Sequence, residues 1–466
     1  MVYIRQHVLP NLRNYKYAGV DHSLVSRYVL KPFYSNVFRA PNSLGGLPET
    51  SFGPDISMVH GSFPPRDRDR GGVIDGREDG VLIQLLLLLS RYRPNLITLT
   101  GFMFVVFNFL TVMWYNPGMD TDCPPWVYAS CAIGMFLYQT FDAVDGMQAR
   151  RTRQSGPLGE LFDHSVDACN TALGVLIFAA AMNLGNSWMT ILCLFGSTMT
   201  FYVQTWDEYY TKVLTLGVIS GPVEGVLTLC TVYAITAYQG GGSFWHQPMM
   251  ETVGVTKPSF LSQQVYEMPF TQWYLVYGAF VLFFATGSSI WNVMQVRRQR
   301  GQDPYTSLYG LLPMVAIWTL VPAYLYLQPT ILESYSIPFS LYVGLVNAYA
   351  VGRMIVGHLV QSGFPYHNIL LYPLALAVLD SAGPAVDLWA APLLGHGPYQ
   401  IMFVFVCLGL SVGVYGSFVY DVVTTICDYN DIWCLTIKHP FVEETERKTE
   451  NDAIKVAVES TQKKTL

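Results

Sequence analysis

From about residue 96 onward, long apolar runs alternate with short polar connectors along this chain. A helix needs roughly 20 consecutive apolar residues to cross a bilayer. Ten such runs are predicted, near 96–115, 126–144, 166–186, 188–206, 216–238, 271–292, 305–327, 336–360, 367–390 and 400–424. The expected fold class is all-α, a polytopic membrane protein with about ten transmembrane helices. Only the residues from Asn183 to Trp188 separate the third run from the fourth, which predicts a tight helical hairpin.

The pattern breaks before the first run and after the last. Residues 1–41 are mixed and aromatic with no cleavable signal, and are expected to form amphipathic helices on the cytosolic surface. Residues 42–92 include FPPRDRDRGGVIDGREDG, which has no usable periodicity, and LIQLLLLLS, which is too short to span. This stretch reads as a disordered insert, either a lineage-specific loop or an artefact of the gene model. Pro41-Asn42 before it is echoed by Pro94-Asn95 after it. The membrane domain is expected over 93–424, with 425–466 a cytosolic C-terminal segment ending in a polar, mobile tail.

Composition agrees with the pattern. Hydrophobic residues make up 51% of the chain and charged ones 13%, with a mean hydropathy of +0.30, which excludes an ordinary soluble domain. The net charge of −6 matters less than its distribution. Basic clusters at Arg150, Arg151 and Arg153, and again at Arg297, Arg298 and Arg300, assign both loops to the cytosol. A ten-span topology starting in the cytosol places the same two loops there. The eight cysteines are scattered without a C-x-x-C pair, so core packing is expected and neither a disulfide framework nor a zinc site.

Candidate chemistry lies at the seam between the second and third runs, in FDAVDGMQARRTRQSGPLGELFDHSVD. Acidic side chains at membrane depth are costly and point to function. Asp142, Asp145, Gly146 and Ala149 fall at i, i+3, i+4 and i+7, one stripe of a helix. Asp163 and Asp167 are i and i+4 on the next helix, with Gly159 one turn earlier. Ser-Gly-Pro between them signals a reversal, and folding the helices together brings the aspartate pairs face to face. Crowded carboxylates need a cation, and an all-oxygen ligand set suits Mg²⁺ or Mn²⁺ rather than Zn²⁺. The stripe therefore reads as a metal-dependent phosphate site opening to the cytosol. The structural alternative for any single aspartate is a helix cap or a partner for arginine.

The pattern D-x2-D-G-x2-A-R-x8-G-x3-D-x3-D resembles the signature of the CDP-alcohol phosphotransferase family, and every position matches. Its surroundings are similar to the eukaryotic choline/ethanolamine phosphotransferase branch: LYQTFD from Leu137, QARRT from Gln148, PLGELFDH from Pro157, TWDEY from Thr205, GPVEG from Gly221 and VGRMI from Val351. The similarity runs from about residue 10 to 440, broken by the 42–92 insert.

The resemblance implies transfer of phosphocholine or phosphoethanolamine from CDP-choline or CDP-ethanolamine to diacylglycerol, releasing CMP. It implies two Mg²⁺ or Mn²⁺ ions held by Asp142, Asp145, Asp163 and Asp167. Arg150 would pair with the donor's phosphates, Gly146, Ala149 and Gly159 would allow close approach, and Asn95 would contact the nucleotide. For the acceptor's hydroxyl proton, Asp167 is the candidate of the wider family. His164 is favoured here, because a metal-bound carboxylate is a poor base whereas imidazole titrates near neutrality. Otherwise His164 is a packed histidine orienting Asp163. Trp206, Glu208, Tyr209 and Glu224 are candidates for a cage around the head-group ammonium, against the alternative that such aromatics anchor the membrane interface. Expected partners are the CDP-alcohol, diacylglycerol and membrane lipid, with no nucleic acid, and a homodimer is left open. The expected site is the endoplasmic reticulum or Golgi. A divalent-cation transporter using the aspartates is the rival class, but it leaves the Gly-Ala-Arg register unexplained and no inverted repeat supports it.

Overall fold

The computed structural model describes residues 3–15, 19–21, 26–30, 93–216, 222–395 and 397–439. The expected 42–92 insert and the tail beyond 439 lie outside the described residues, as do parts of the 1–41 segment.

Ten α-helices of 12 residues or more carry the described fold. They are α1 (Pro94–Tyr115), α2 (Pro125–Arg151), α3 (Pro157–Ala181), α4 (Trp188–Thr211), α5 (Pro222–Gln239), α6 (Phe270–Gln299), α7 (Leu312–Leu327), α8 (Ser336–Leu359), α9 (Leu371–Ala382) and α10 (Pro398–Asn430). The described strands are two short ones, β1 (Gly19–Asp21) and β2 (Leu214–Leu216), paired in parallel. The protein is an all-α membrane protein, and each expected run meets one helix. Six helical segments are long and apolar enough to cross a membrane: α1, α3, α6, Tyr305–Leu327, α8 and α10. The other four fall short of that test for visible reasons. Asp142 and Asp145 dilute α2, and Ser197, Thr198, Thr200 and Gln204 dilute α4. Glu224 and Gln239 dilute the 18 residues of α5, and α9 has only 12 residues.

The helix starts are written locally. Pro94, Pro125, Pro157, Pro222 and Pro398 each begin a helix, where a missing N–H costs nothing and the fixed φ is already helical. The predicted hairpin between α3 and α4 turns on Asn183 and Gly185, with φ of 51° and 67°. Ser187 caps α4 by accepting a hydrogen bond from the Met189 amide at 3.2 Å.

Packing separates buried helices from peripheral ones. Of the apolar windows, that of α8 is 83% buried and that of α3 67%, whereas that of α6 is not buried at all. Phe280, Phe283, Phe284 and Trp291 of α6 are exposed accordingly, as expected of a lipid-facing helix. Between helices in lipid, close van der Waals contact rather than the hydrophobic effect drives association, so small residues mark the seams. A Cβ on Gly344 of α8 would lie 2.3 Å from the Cβ of Ala172 of α3. A Cβ on Gly101 of α1 would lie 2.9 Å from the Cβ of Phe141 of α2. Both seams fix helices that bear the aspartates.

The N-terminal segment docks on this body. Residues Gln6–Asn14 form a 3₁₀ helix whose Leu12 joins the core beside Ile4. Asn11 donates to the Val360 carbonyl at 2.7 Å, and the Tyr3 amide donates to Asp421 at 3.0 Å. All eight cysteines are free, which agrees with the core-packing expectation.

Gly344→Val forces atoms into the α3–α8 seam, and overpacking of this kind costs roughly 1–3 kcal/mol. We expect a lower unfolding temperature in detergent; an unchanged one would show that α3 and α8 can part without loss.

Candidate functional site

The site is built on the reversal between α2 and α3. Helix α2 ends through Arg153, whose φ of 53° lies in the left-handed region, and the Gln154 amide donates back to the Ala149 carbonyl at 2.9 Å. Pro157 then starts α3. Helix spacing does the rest: Asp142 and Asp145 share one face of α2, and Asp163 projects from the first turns of α3 toward them. Carboxylate oxygens of Asp142, Asp145 and Asp163 lie within 4.8 Å of one another.

Donors hold three of the four aspartates in place. The Thr98 hydroxyl of α1 bonds Asp145, and the Tyr138 hydroxyl bonds Asp167. Gln139 Nε2 donates to Asp142 Oδ2 at 3.3 Å. Asp163 differs, because its Oδ1 is buried with no hydrogen-bond partner. A buried carboxylate oxygen left bare beside two further carboxylates is electrostatically unstable without a cation. The donor set is all oxygen, so the residues present fit a divalent ion such as Mg²⁺ or Mn²⁺. Asp167 is close to the group but stands outside the tight trio, turned to Tyr138.

The small residues of the motif leave room that the protein does not fill. A Cβ on Gly146 would meet only the Arg150 guanidinium, at 3.6 Å. On Gly159 it would meet only Asn95 Oδ1, at 4.0 Å. Arg150 is exposed and folds over Gly146, at the rim of the aspartate trio. Asn95 is buried in the first turn of α1, and its amide donates to the Cys434 carbonyl at 3.1 Å. The segment after α10 thus closes over the site. It is held also by the Arg93 amide on the Leu435 carbonyl at 3.2 Å, and by Gln154 Nε2 on the His439 carbonyl at 3.4 Å.

His164 lies one residue round α3 from Asp163. Its Nδ1 is 3.9 Å from Glu208 of α4, and Glu160, one turn earlier, converges on the same place. Trp206 and Tyr209 go elsewhere. Trp206 is fully buried and donates to the Ser307 carbonyl at 3.0 Å, while the Tyr209 hydroxyl donates to the Ser362 carbonyl at 2.6 Å. Residues two apart on a helix point about 200° apart, so Trp206 and Glu208 do not line one pocket. Glu224 sits in the first turn of α5. Glu208 is brought to the motif, beside His164.

Sequence reasoning missed Thr98, Tyr138, Gln139 and Glu160 as site residues. Tyr138 stands four residues before Asp142, and Glu160 four before His164, so helix spacing could have found both. Thr98 reaches Asp145 from another helix and left no local signal.

Fold and site together define an integral membrane protein with a buried acidic centre between two helices. The family model described as CDP-alcohol phosphatidyltransferase matches residues 91–256. Choline/ethanolaminephosphotransferase 1 of Saccharomyces cerevisiae is 35% identical over 440 residues, covering 92% of this chain and 96% of that protein. Cholinephosphotransferase 1 of the same yeast is 32% identical, covering 94% and 98%. Choline/ethanolaminephosphotransferase 1 of Arabidopsis thaliana is 31% identical, covering 94% and 99%. The chain belongs to the CDP-alcohol phosphatidyltransferase family and is a transferase of phospholipid biosynthesis. This family is divalent-metal dependent in general, and the cation-transporter alternative is left without support.

Ligands that bind only the folded state raise its unfolding temperature. Mg²⁺ is expected to do so for the native chain, and Asp163→Asn to remove most of that shift. Equal shifts in the two proteins would divorce the aspartate trio from metal binding.

Proposed function

We propose that the protein transfers phosphocholine, phosphoethanolamine or both from the CDP-alcohol to diacylglycerol, yielding phosphatidylcholine or phosphatidylethanolamine and CMP. The carrying observation is the convergence of Asp142, Asp145 and Asp163 around the bare, buried Asp163 Oδ1. The names of the similar yeast and plant proteins support the choline and ethanolamine head groups.

Asp142, Asp145, Asp163 and Asp167 would hold two Mg²⁺ or Mn²⁺ ions, which supply positive charge to the donor's diphosphate and to the leaving phosphate. The remaining chemistry belongs to the chain. Arg150 at the rim suits charge-assisted pairing with phosphate oxygens. The space beside Gly146, Ala149 and Gly159 lets the nucleotide approach the helices, with Asn95 at its edge. The diacylglycerol hydroxyl attacks the phosphorus bearing the amino alcohol, the bond from that phosphorus to the bridging oxygen breaks, and CMP departs. His164 accepts the hydroxyl proton. Its position one residue from Asp163, without a hydrogen bond on its buried Nδ1, supports this over Asp167, whose carboxylate takes a hydrogen bond from Tyr138.

Head-group choice is assigned most directly to Glu208, which reaches the motif, while Tyr209 is turned to Ser362 and Trp206 is sealed in the core. The site faces the cytosol in this reading, in an endoplasmic reticulum or Golgi membrane. Two basic clusters support the orientation. Arg300 at the end of α6 donates to the Tyr210 and Thr211 carbonyls at the end of α4, at 2.8 and 2.6 Å. The hairpin between α3 and α4 sets that end of α4 beside the α2–α3 turn, so Arg150 and Arg297 share one membrane side.

Purified full-length protein with diacylglycerol, Mg²⁺ and either CDP-choline or CDP-ethanolamine is expected to release CMP with at least one donor. Silence with both, in protein that still binds Mg²⁺, would defeat the assignment. His164→Ala is expected to lower kcat by about 100-fold or more with the donor KM nearly unchanged. A collapse of donor binding instead would make His164 a structural residue.

A further inference from the structure

A second group of metal-ligating side chains lies beside the aspartates and is chemically unlike them. Glu160, His164 and Glu208 offer ligand atoms within 4.8 Å of one another. His164 Nδ1 stands 3.9 Å from Glu208 Oε2, and a second imidazole, His358 Nε2, stands 3.9 Å from Glu160 Oε1. These separations are too long for hydrogen bonds. A tetrahedral ion about 2.1 Å from each atom spans roughly 3.4 Å, so a closure of about half an ångström would let the His164–Glu208 pair hold one.

The polar atoms are also unsatisfied. Glu160 is 9% exposed, and both its carboxylate oxygens, like His164 Nδ1, are buried with no hydrogen-bond partner. A buried carboxylate with no donor is costly unless a cation meets it. Lys212 attracts Glu208 at longer range but makes no salt bridge or hydrogen bond to the group. Its ammonium is 3.4 Å from His358 Nδ1, on the other side of that ring from Glu160, and lies over the Tyr209 ring at 4.7 Å.

We propose that Glu160, His164 and Glu208 form a second metal site that prefers Zn²⁺. One imidazole with two carboxylates is a borderline ligand set that suits zinc, whereas the all-oxygen aspartates suit Mg²⁺. The consequence rests on the reading of His164 as proton acceptor. Zinc on Nδ1 leaves the ring's proton on Nε2, so neither nitrogen is free to take the acceptor's hydroxyl proton. Zinc therefore inhibits transfer without displacing Mg²⁺ from the aspartates.

The test reads metal first and turnover second. Full-length protein in detergent with excess Mg²⁺ is dialysed against Zn²⁺, and bound zinc is counted. We expect about one zinc per chain, with affinity at least roughly tenfold weaker in Glu160→Gln and Glu208→Gln and preserved in Asp163→Asn. X-ray absorption at the zinc edge of the native protein, which needs no variant to fold, is expected to show oxygen neighbours and at least one imidazole. Unchanged zinc affinity in both glutamate variants, loss of zinc in Asp163→Asn, or a native spectrum without imidazole would each overturn the site. Zinc that binds as expected but leaves CMP release unaffected would uphold the site and refute the proton-acceptor role of His164.

Discussion

Everything in this protein is arranged around mutual repulsion among carboxylates held in a low-dielectric interior. Three of them bring oxygens within 4.8 Å of one another. At an effective dielectric near 20, two unit charges that close repel by roughly 3 kcal/mol or more. Such a cluster persists only where the scaffold is stiff and a cation is available. The scaffold here is the α2–α3 hairpin, closed by the left-handed Arg153 and restarted by Pro157. It is braced on one side by α1 through Thr98 and on another by α8 through the Gly344–Ala172 seam.

The hydrogen bonds within the site are divided in a way that suits this task. Asp145, Asp142 and Asp167 each take a hydrogen bond from a neutral donor, Thr98, Gln139 or Tyr138. Neutral donors orient a carboxylate without cancelling its charge, so the full attraction for a divalent ion is kept. A lysine or arginine in any of those places would have satisfied the aspartate and removed the reason for metal to bind. The one arginine of the motif, Arg150, stands instead at the rim, free to meet an anionic ligand. Positive charge is excluded from the floor of the site and supplied at its edge.

Along α3 the chemistry changes with helix angle. Asp163 and Asp167 form the oxygen-rich stripe, and Glu160 and His164, one residue round, form the mixed one. A single buried helix thereby presents two chemically distinct faces, to α2 and to α4. Rotation of α3 would serve one face at the expense of the other.

The sequence by itself determined the helices, their starts and the core of the site. Apolar runs, proline at first helical positions and the i, i+3, i+4 spacing of acids and small residues are all local in the chain, and local spacing fixes which residues share a helix face. Six of the ten runs became helical segments long and apolar enough to cross a membrane, and the other four became helices that are shorter or more polar. The tertiary structure alone decided that Thr98 steadies Asp145, that the segment near Cys434 covers Asn95, and that Glu208 meets His164 while Trp206 turns away into the core. Those outcomes depend on how whole helices rotate against one another. In lipid, that rotation is set by close packing at a few small residues, which periodicity along one strand of sequence cannot encode.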